Sequence, residues 1–155
     1  GAAQAQAAAV DCGDATRRAI GYWIGEWTVS DTASSTPIAE SRIEWAVDGC
    51  AIRESYEQKT GPDGKPMHYA GTSYTAYDAA SDRWKQFYVD TTGRAALLDG
   101  DLRDKRLVLN GKAGAKLTRM TIEGLKNGDV RQRGEASADG GKHWAPTFDF
   151  TYRKK

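Results

Sequence analysis

Six Asx-Gly dipeptides punctuate this chain: Asp48-Gly49, Asp63-Gly64, Asp99-Gly100, Asn110-Gly111, Asn127-Gly128 and Asp139-Gly140. Such pairs accept positive φ at the centre of a primed turn, whose twist matches that of the flanking strands, so each marks a hairpin. Asp99-Gly100 reads equally well as a bulge. Between these signals lie runs of strand length, predicted near 22–30, 38–47, 51–59, 67–78, 83–90, 94–101, 105–110, 116–124, 129–138 and 146–153. No long helical pattern intervenes, so the strands follow one another as an antiparallel meander. A meander of about 8–10 strands removes its open edges by closing into an up-and-down barrel. The predicted class is therefore all-β, with a two-sheet sandwich as the alternative. The 17 glycines against 4 prolines suit tight turns rather than disorder.

The first predicted strand is Tyr22-Trp23-Ile24-Gly25-Glu26-Trp27-Thr28-Val29. Period 2 puts Trp23, Gly25, Trp27 and Val29 on one face, and the glycine lets another element approach closely. Before it, Asp14 is positioned to cap a short helix over 15–20 that ends at Gly21. Residues 1–11 read as a flexible tail of small residues, like what remains beside a secretory cleavage site, and 12–155 as a single barrel domain. Cys12 and Cys50 fall where export would make a bridge useful, tying the N-terminal segment to the barrel wall; two buried free thiols are the alternative.

Alternation assigns the faces. In strand 51–59, Arg53, Ser55 and Glu57 are uniformly polar, which turns Ile52, Glu54 and Tyr56 inward. In 83–90, placing Lys85 outside turns Trp84, Gln86 and Tyr88 inward and leaves Phe87 and Val89 outside. Phe148, Phe150 and Tyr152 share a face, and Val130, Gln132, Gly134 and Ala136 point inside. In 116–124 the set Leu117, Arg119, Thr121 and the set Thr118, Met120, Ile122 cannot be separated by polarity.

With these elements in view, the chain resembles the calycin barrels. Gly25-Glu26-Trp27 is similar to the G-x-W signature on the first strand of lipocalins, and Arg153 stands where their arginine packs over that tryptophan. More specifically, the chain after Cys12 resembles a family of secreted bacterial proteins of unknown function with lipocalin-like barrels. The resemblance is carried by Trp23-Ile24-Gly25-Glu26-Trp27, Gly49-Cys50-Ala51-Ile52-Arg53-Glu54, Gly71-Thr72-Ser73, Tyr77-Asp78 and Arg83-Trp84-Lys85-Gln86 with Val89-Asp90. It continues through Val130-Arg131-Gln132, Ser137-Ala138-Asp139-Gly140-Gly141, Trp144, Phe148-Asp149 and Tyr152-Arg153. It implies a fold and a periplasmic or secreted location, with no chemistry to carry over. A more distant similarity is to nitrobindins, which ligate haem iron through a histidine near the C-terminal end. Tyr152-Arg153 stands there in this chain without a histidine, which argues against haem.

The chemistry centres on Glu54. A carboxylate turned into an apolar barrel loses hydration, and its pKa rises unless a cation or several donors approach. Arg119, Gln132 or Tyr56 are the candidate partners; a satisfied pair that merely fixes the packing is the structural alternative. The aromatic set Tyr56, Tyr69, Tyr77, Trp84 and Tyr88 either lines a cavity or fills a small barrel. His68 and His143 are isolated, with no Cys/His/Asp cluster at ligand spacing, so no metal or other cofactor is expected. Neither a nucleophile elbow nor a phosphate loop is present. Net charge is +1 from 22 basic and 21 acidic residues, interleaved, which argues against nucleic acid as a partner. No apolar run reaches the roughly 20 residues of a membrane span.

The leading expectation is an exported barrel that binds a small apolar or aromatic molecule through Glu54, Tyr56, Trp84, Gln86, Tyr88, Arg119 and Gln132, with no enzymatic step. One alternative is an isomerase- or lyase-type enzyme with Glu54 as acid or base and Arg119 stabilising negative charge. Another is a protein–protein interaction module using outward Phe87, Val89 or Trp144.

Overall fold

A computed structural model of the chain describes residues 10–155; the tail expected over 1–11 therefore lies outside the described residues up to residue 9. A short helix α1 (Ala15–Arg18) runs into a 3₁₀ turn (Ala19–Trp23). Ten strands follow: β1 (Gly25–Asp31), β2 (Pro37–Ala46), β3 (Ala51–Thr60), β4 (Pro66–Asp78), β5 (Arg83–Asp90), β6 (Ala95–Arg103), β7 (Arg106–Ala113), β8 (Lys116–Gly124), β9 (Val130–Ser137) and β10 (Ala145–Lys154). Each strand pairs antiparallel with the next, and β1 pairs with β10. The meander thus closes as a ten-stranded up-and-down barrel, as the turn spacing predicts, and no edge is left unpaired.

Four local expectations are corrected. Trp23 ends the 3₁₀ turn instead of lying in the first strand, and the helical segment runs past Gly21 because Ile20 and Trp23, both fully buried, are drawn into the core. Asp14 does not cap that helix: its carboxylate accepts a hydrogen bond from Arg17 Nη1 at 2.9 Å instead. Asn110-Gly111 is not a turn but lies inside β7, paired with Arg119 and Thr118. The β6–β7 reversal is made by Asp104 and Lys105, both at positive φ (49° and 58°), residues that carry no glycine signal.

The G-x-W glycine has a packing role. A Cβ on Gly25 would stand 3.3 Å from the Trp27 indole and 3.1 Å from Lys154 Cε. Without it, the indole folds back and Nε1 donates to the Trp23 carbonyl at 3.0 Å. Trp27 is fully buried, in edge-on contact with Tyr152 at 6.3 Å. The cation over its ring is Lys154, 5.6 Å from the centroid, and not Arg153, which reaches outward to Asp129. The register explains the exchange, because Lys154 lies opposite Trp27 and Arg153 opposite Thr28.

The helical segment closes one end of the barrel. Cys12 and Cys50 are disulfide-bonded, joining the segment to the β2–β3 turn. Arg18 lies over the Trp45 ring at 4.5 Å and Arg17 over the Tyr77 ring at 5.5 Å, while the Tyr22 hydroxyl donates to the Ile122 carbonyl at 2.8 Å. Beneath it Ile20, Trp23, Trp84, Leu107, Ile122 and Val130 form one apolar cluster. Among the described residues, no helix is long and apolar enough to cross a membrane.

Candidate functional site

The opposite end holds a cavity of about 570 Å³, inside the roughly 300–1,000 Å³ range of small-molecule sites. Its wall runs from buried Glu54, Gln86 and Tyr152 to exposed Arg94 and Lys116, so the cavity opens at the end away from the helix. Of the residues expected to line it, Glu54, Tyr56, Gln86, Tyr88, Arg119 and Gln132 border it. Trp84 does not: it faces inward as predicted but lies at the helix-covered end, tilted against Tyr77 at 5.7 Å within the apolar core. The aromatic set is therefore split, with Tyr56, Tyr69 and Tyr88 in the cavity wall and Tyr77 and Trp84 below it.

Glu54 is 7 % exposed and is held by two hydroxyls. Ser41 Oγ donates at 2.8 Å and the Tyr152 hydroxyl at 2.7 Å, both to Oε2. Burial pushes the Glu54 carboxyl above its ordinary value, and Tyr152, Ser41 and the nearby Gln132 offset this only in part. Burial, reinforced by the Glu54 charge, likewise raises the Tyr152 phenol, which stays a hydrogen-bond donor.

Arg119 is not the partner of Glu54. It faces away from Met120 and Ile122, pairs in register with Glu135, and donates from Nε and Nη2 to that carboxylate at 3.3 and 3.2 Å. Its guanidinium also lies over the Trp144 ring, 4.0 Å from the centroid. The register resolves the face of β8: Met120, opposite buried Leu109 and Gly134, borders the cavity, and its Sδ lies 3.4 Å from Gln132 Nε2.

Aromatic rings form the middle of the wall. Tyr56 stacks on Phe150 (6.3 Å, interplanar angle 12°) and meets Tyr69 edge-on at 6.0 Å. The Tyr69 and Tyr88 hydroxyls touch, and both donate to Asp90 Oδ2, at 2.9 and 3.0 Å. Gly71 leaves the space that Tyr88 takes, since a Cβ there would stand 2.9 Å from its hydroxyl. Burial would raise the Asp90 carboxyl, but donors from Thr92, Tyr69 and the backbone hold it below its ordinary value.

Three buried wall atoms have no hydrogen-bond partner among the described residues: Ser73 Oγ, Thr118 Oγ1 and Gln132 Oε1. A buried polar atom left unpaired costs about 1–3 kcal/mol, so the wall is arranged at some expense to stability. Sequence reasoning missed Ser41, Ser73 and Thr118. The signal for Ser41 was a polar residue in phase with Ala39 and Ile43 on an otherwise apolar face. His68 is exposed, and His143 binds Asp139 at 2.6 Å in the β9–β10 turn; no group of three or more His, Cys, Asp and Glu side chains gathers among the described residues. No protein-family model matches the chain, and no curated protein matches its sequence.

Proposed function

We propose that this protein is an exported, lipocalin-like binding barrel that takes a small apolar or aromatic molecule into its open end. The observation that carries the reading is the cavity itself. About 570 Å³ lies between aromatic faces, with Ser73 Oγ, Thr118 Oγ1 and Gln132 Oε1 unpartnered in its wall among the described residues. A barrel filled for stability alone has no use for that space or for those atoms. The Cys12–Cys50 bridge fits an oxidising compartment, which favours the periplasm or the exterior of a bacterium.

Native mass spectrometry of the unreduced protein, purified from the exporting cell's own compartment, tests the reading. A small organic adduct, lost on denaturation, is the expected result. A clean apo mass, together with failure of N-phenyl-1-naphthylamine to bind, would overturn it.

A catalytic alternative keeps Glu54 as a general acid, which its raised pKa favours. The anion-stabilising partner would then have to be a group other than Arg119, which Glu135 and Trp144 engage. For an interaction module, the outer wall offers Tyr74, Phe87 and Leu97, exposed and in register across β4, β5 and β6. Trp144 is not part of that surface.

A further inference from the structure

We infer that the ligand enters this cavity amine-first: the deep wall is built to hold a protonated amine carried on an apolar or aromatic body. The inference rests on the binding reading above and adds the chemistry of the group that is recognised.

The polar hydrogens of the wall are largely spent within the wall. The Tyr152 and Ser41 hydroxyls donate to Glu54, and Tyr56 donates to Gln58 Oε1 at 2.7 Å. Tyr69 and Tyr88 donate to Asp90. The glutamine amides are turned the same way: Gln58 Nε2 donates to the Thr60 carbonyl at 3.0 Å, Gln86 Nε2 to Thr75 Oγ1 at 3.0 Å, and Gln132 Nε2 to Met120 Sδ. What remains in the wall is acceptor capacity, part of it on hydroxyls that can also donate. Among the described residues, Gln132 Oε1 and the Ser73 and Thr118 hydroxyls are unpartnered, and Glu54 Oε1 is the carboxyl oxygen that Ser41 and Tyr152 do not use.

The Gln132, Ser73 and Glu54 oxygens lie on neighbouring positions. Ser73 stands opposite Glu54 across the β3–β4 ladder, and Gln132 stands opposite Phe150, whose ring stacks on Tyr56. A hydroxyl offers one hydrogen to such a set, whereas an ammonium offers three together with a positive charge. The charge matters because, among the described residues, no cation forms a salt bridge with Glu54, and only neutral groups offset its burial. A ligand ammonium would supply that missing counter-charge. The faces of Tyr56 and Phe150 favour a cation further. Of the lining cations, Arg94 and Lys116 are exposed at the mouth, where water screens them, and Arg119 is paired with Glu135.

The test is calorimetric titration of the intact protein at neutral pH with three probes of similar size: 2-phenylethylamine, 2-phenylethanol and 3-phenylpropanoate. The amine is expected to bind roughly tenfold tighter than the alcohol, with the carboxylate weakest. In Glu54→Gln that advantage is expected to collapse to about threefold or less. Alcohol or carboxylate binding as tightly as the amine would overturn the inference and leave the binding reading standing. Binding of none of the three would overturn both. An amine preference that survives Glu54→Gln would overturn the role of Glu54. The ranking in the unaltered protein decides even if the variant does not fold.

Discussion

The two ends of this barrel solve opposite problems with the same strands. At the helix-covered end, Ile20, Trp23, Leu107, Ile122 and Val130 are fully buried and packed on one another. At the open end, positions of the same inward parity carry Glu54, Gln58, Gln86 and Gln132, and the wall stands away from itself around about 570 Å³. Trp84 and Tyr88 show the difference within one strand. Both point inward from β5, yet Trp84 is sealed against Tyr77 while Tyr88 borders the cavity. The comparison teaches that stability is concentrated where the helix sits, and that the open end gives up packing for a shaped, polar interior.

Truncation at the closed end tests this most severely. Trp27→Ala removes a fully buried indole and its hydrogen bond to Trp23, so a loss of about 3–5 kcal/mol is expected in denaturant unfolding. A loss below about 1 kcal/mol would show that the closed end is not where stability resides. Opening the bridge by Cys12→Ser with Cys50→Ser should cost about 3–4 kcal/mol, since it closes a loop of 38 residues. Thermal unfolding with and without reductant checks this, and ligand uptake at the far end should survive.

At the open end, Glu54→Gln sharpens the contrast through pH. The folded Glu54 carboxyl titrates above its ordinary value of 4.5, so the folded state holds a proton that the unfolded chain has released. The Glu54 contribution is therefore fully present below about pH 4.5 and is lost as pH rises through the higher folded value. The stability of the unaltered protein relative to Glu54→Gln should accordingly fall as pH rises above 4.5. Paired melting curves from pH 4 to 8 measure it, and a difference that is flat or grows would contradict the burial of an unpaired carboxyl. The smallest expected effect is that of Gln132→Leu. Relief of the unpartnered acceptor is offset by loss of the amide that donates to Met120 Sδ and eases the burial of Glu54, so stability should change by less than about 1 kcal/mol in either direction, while uptake of polar-headed ligands weakens. A loss of several kcal/mol would make Gln132 a structural residue and erase the contrast between the ends.

Local residue pattern made much of this legible. The alternation in Ile52-Arg53-Glu54-Ser55-Tyr56 placed Glu54 and Tyr56 inside, and the structure puts them there because a single inward-facing row is all that a closed strand offers. Partnership was less legible. The candidate partner Arg119 is of a type suited to Glu54, but β8 mixes polarity on both faces, and only its register with β7 and β9 turns Arg119 to Glu135. The exchange of Arg153 for Lys154 over Trp27 has the same origin, since a shift of one residue moves a side chain to the other face. The Asp104–Lys105 turn went unseen because a strand pair can force positive φ on residues that do not ordinarily adopt it.

What the sequence determined by itself is the meander, the short helix before it and most of the inward rows, because turn chemistry and period-2 alternation act within a few residues of each other. What only the tertiary structure decided is that one end stays open, that Tyr77 and Trp84 belong to the core while Tyr56, Tyr69 and Tyr88 line a cavity, and that Glu54 is held by Ser41 and Tyr152. Those outcomes depend on which inward row meets which across the barrel. The registers of successive strands, together with the closing β1–β10 pair, set that, and no pattern within one strand encodes it.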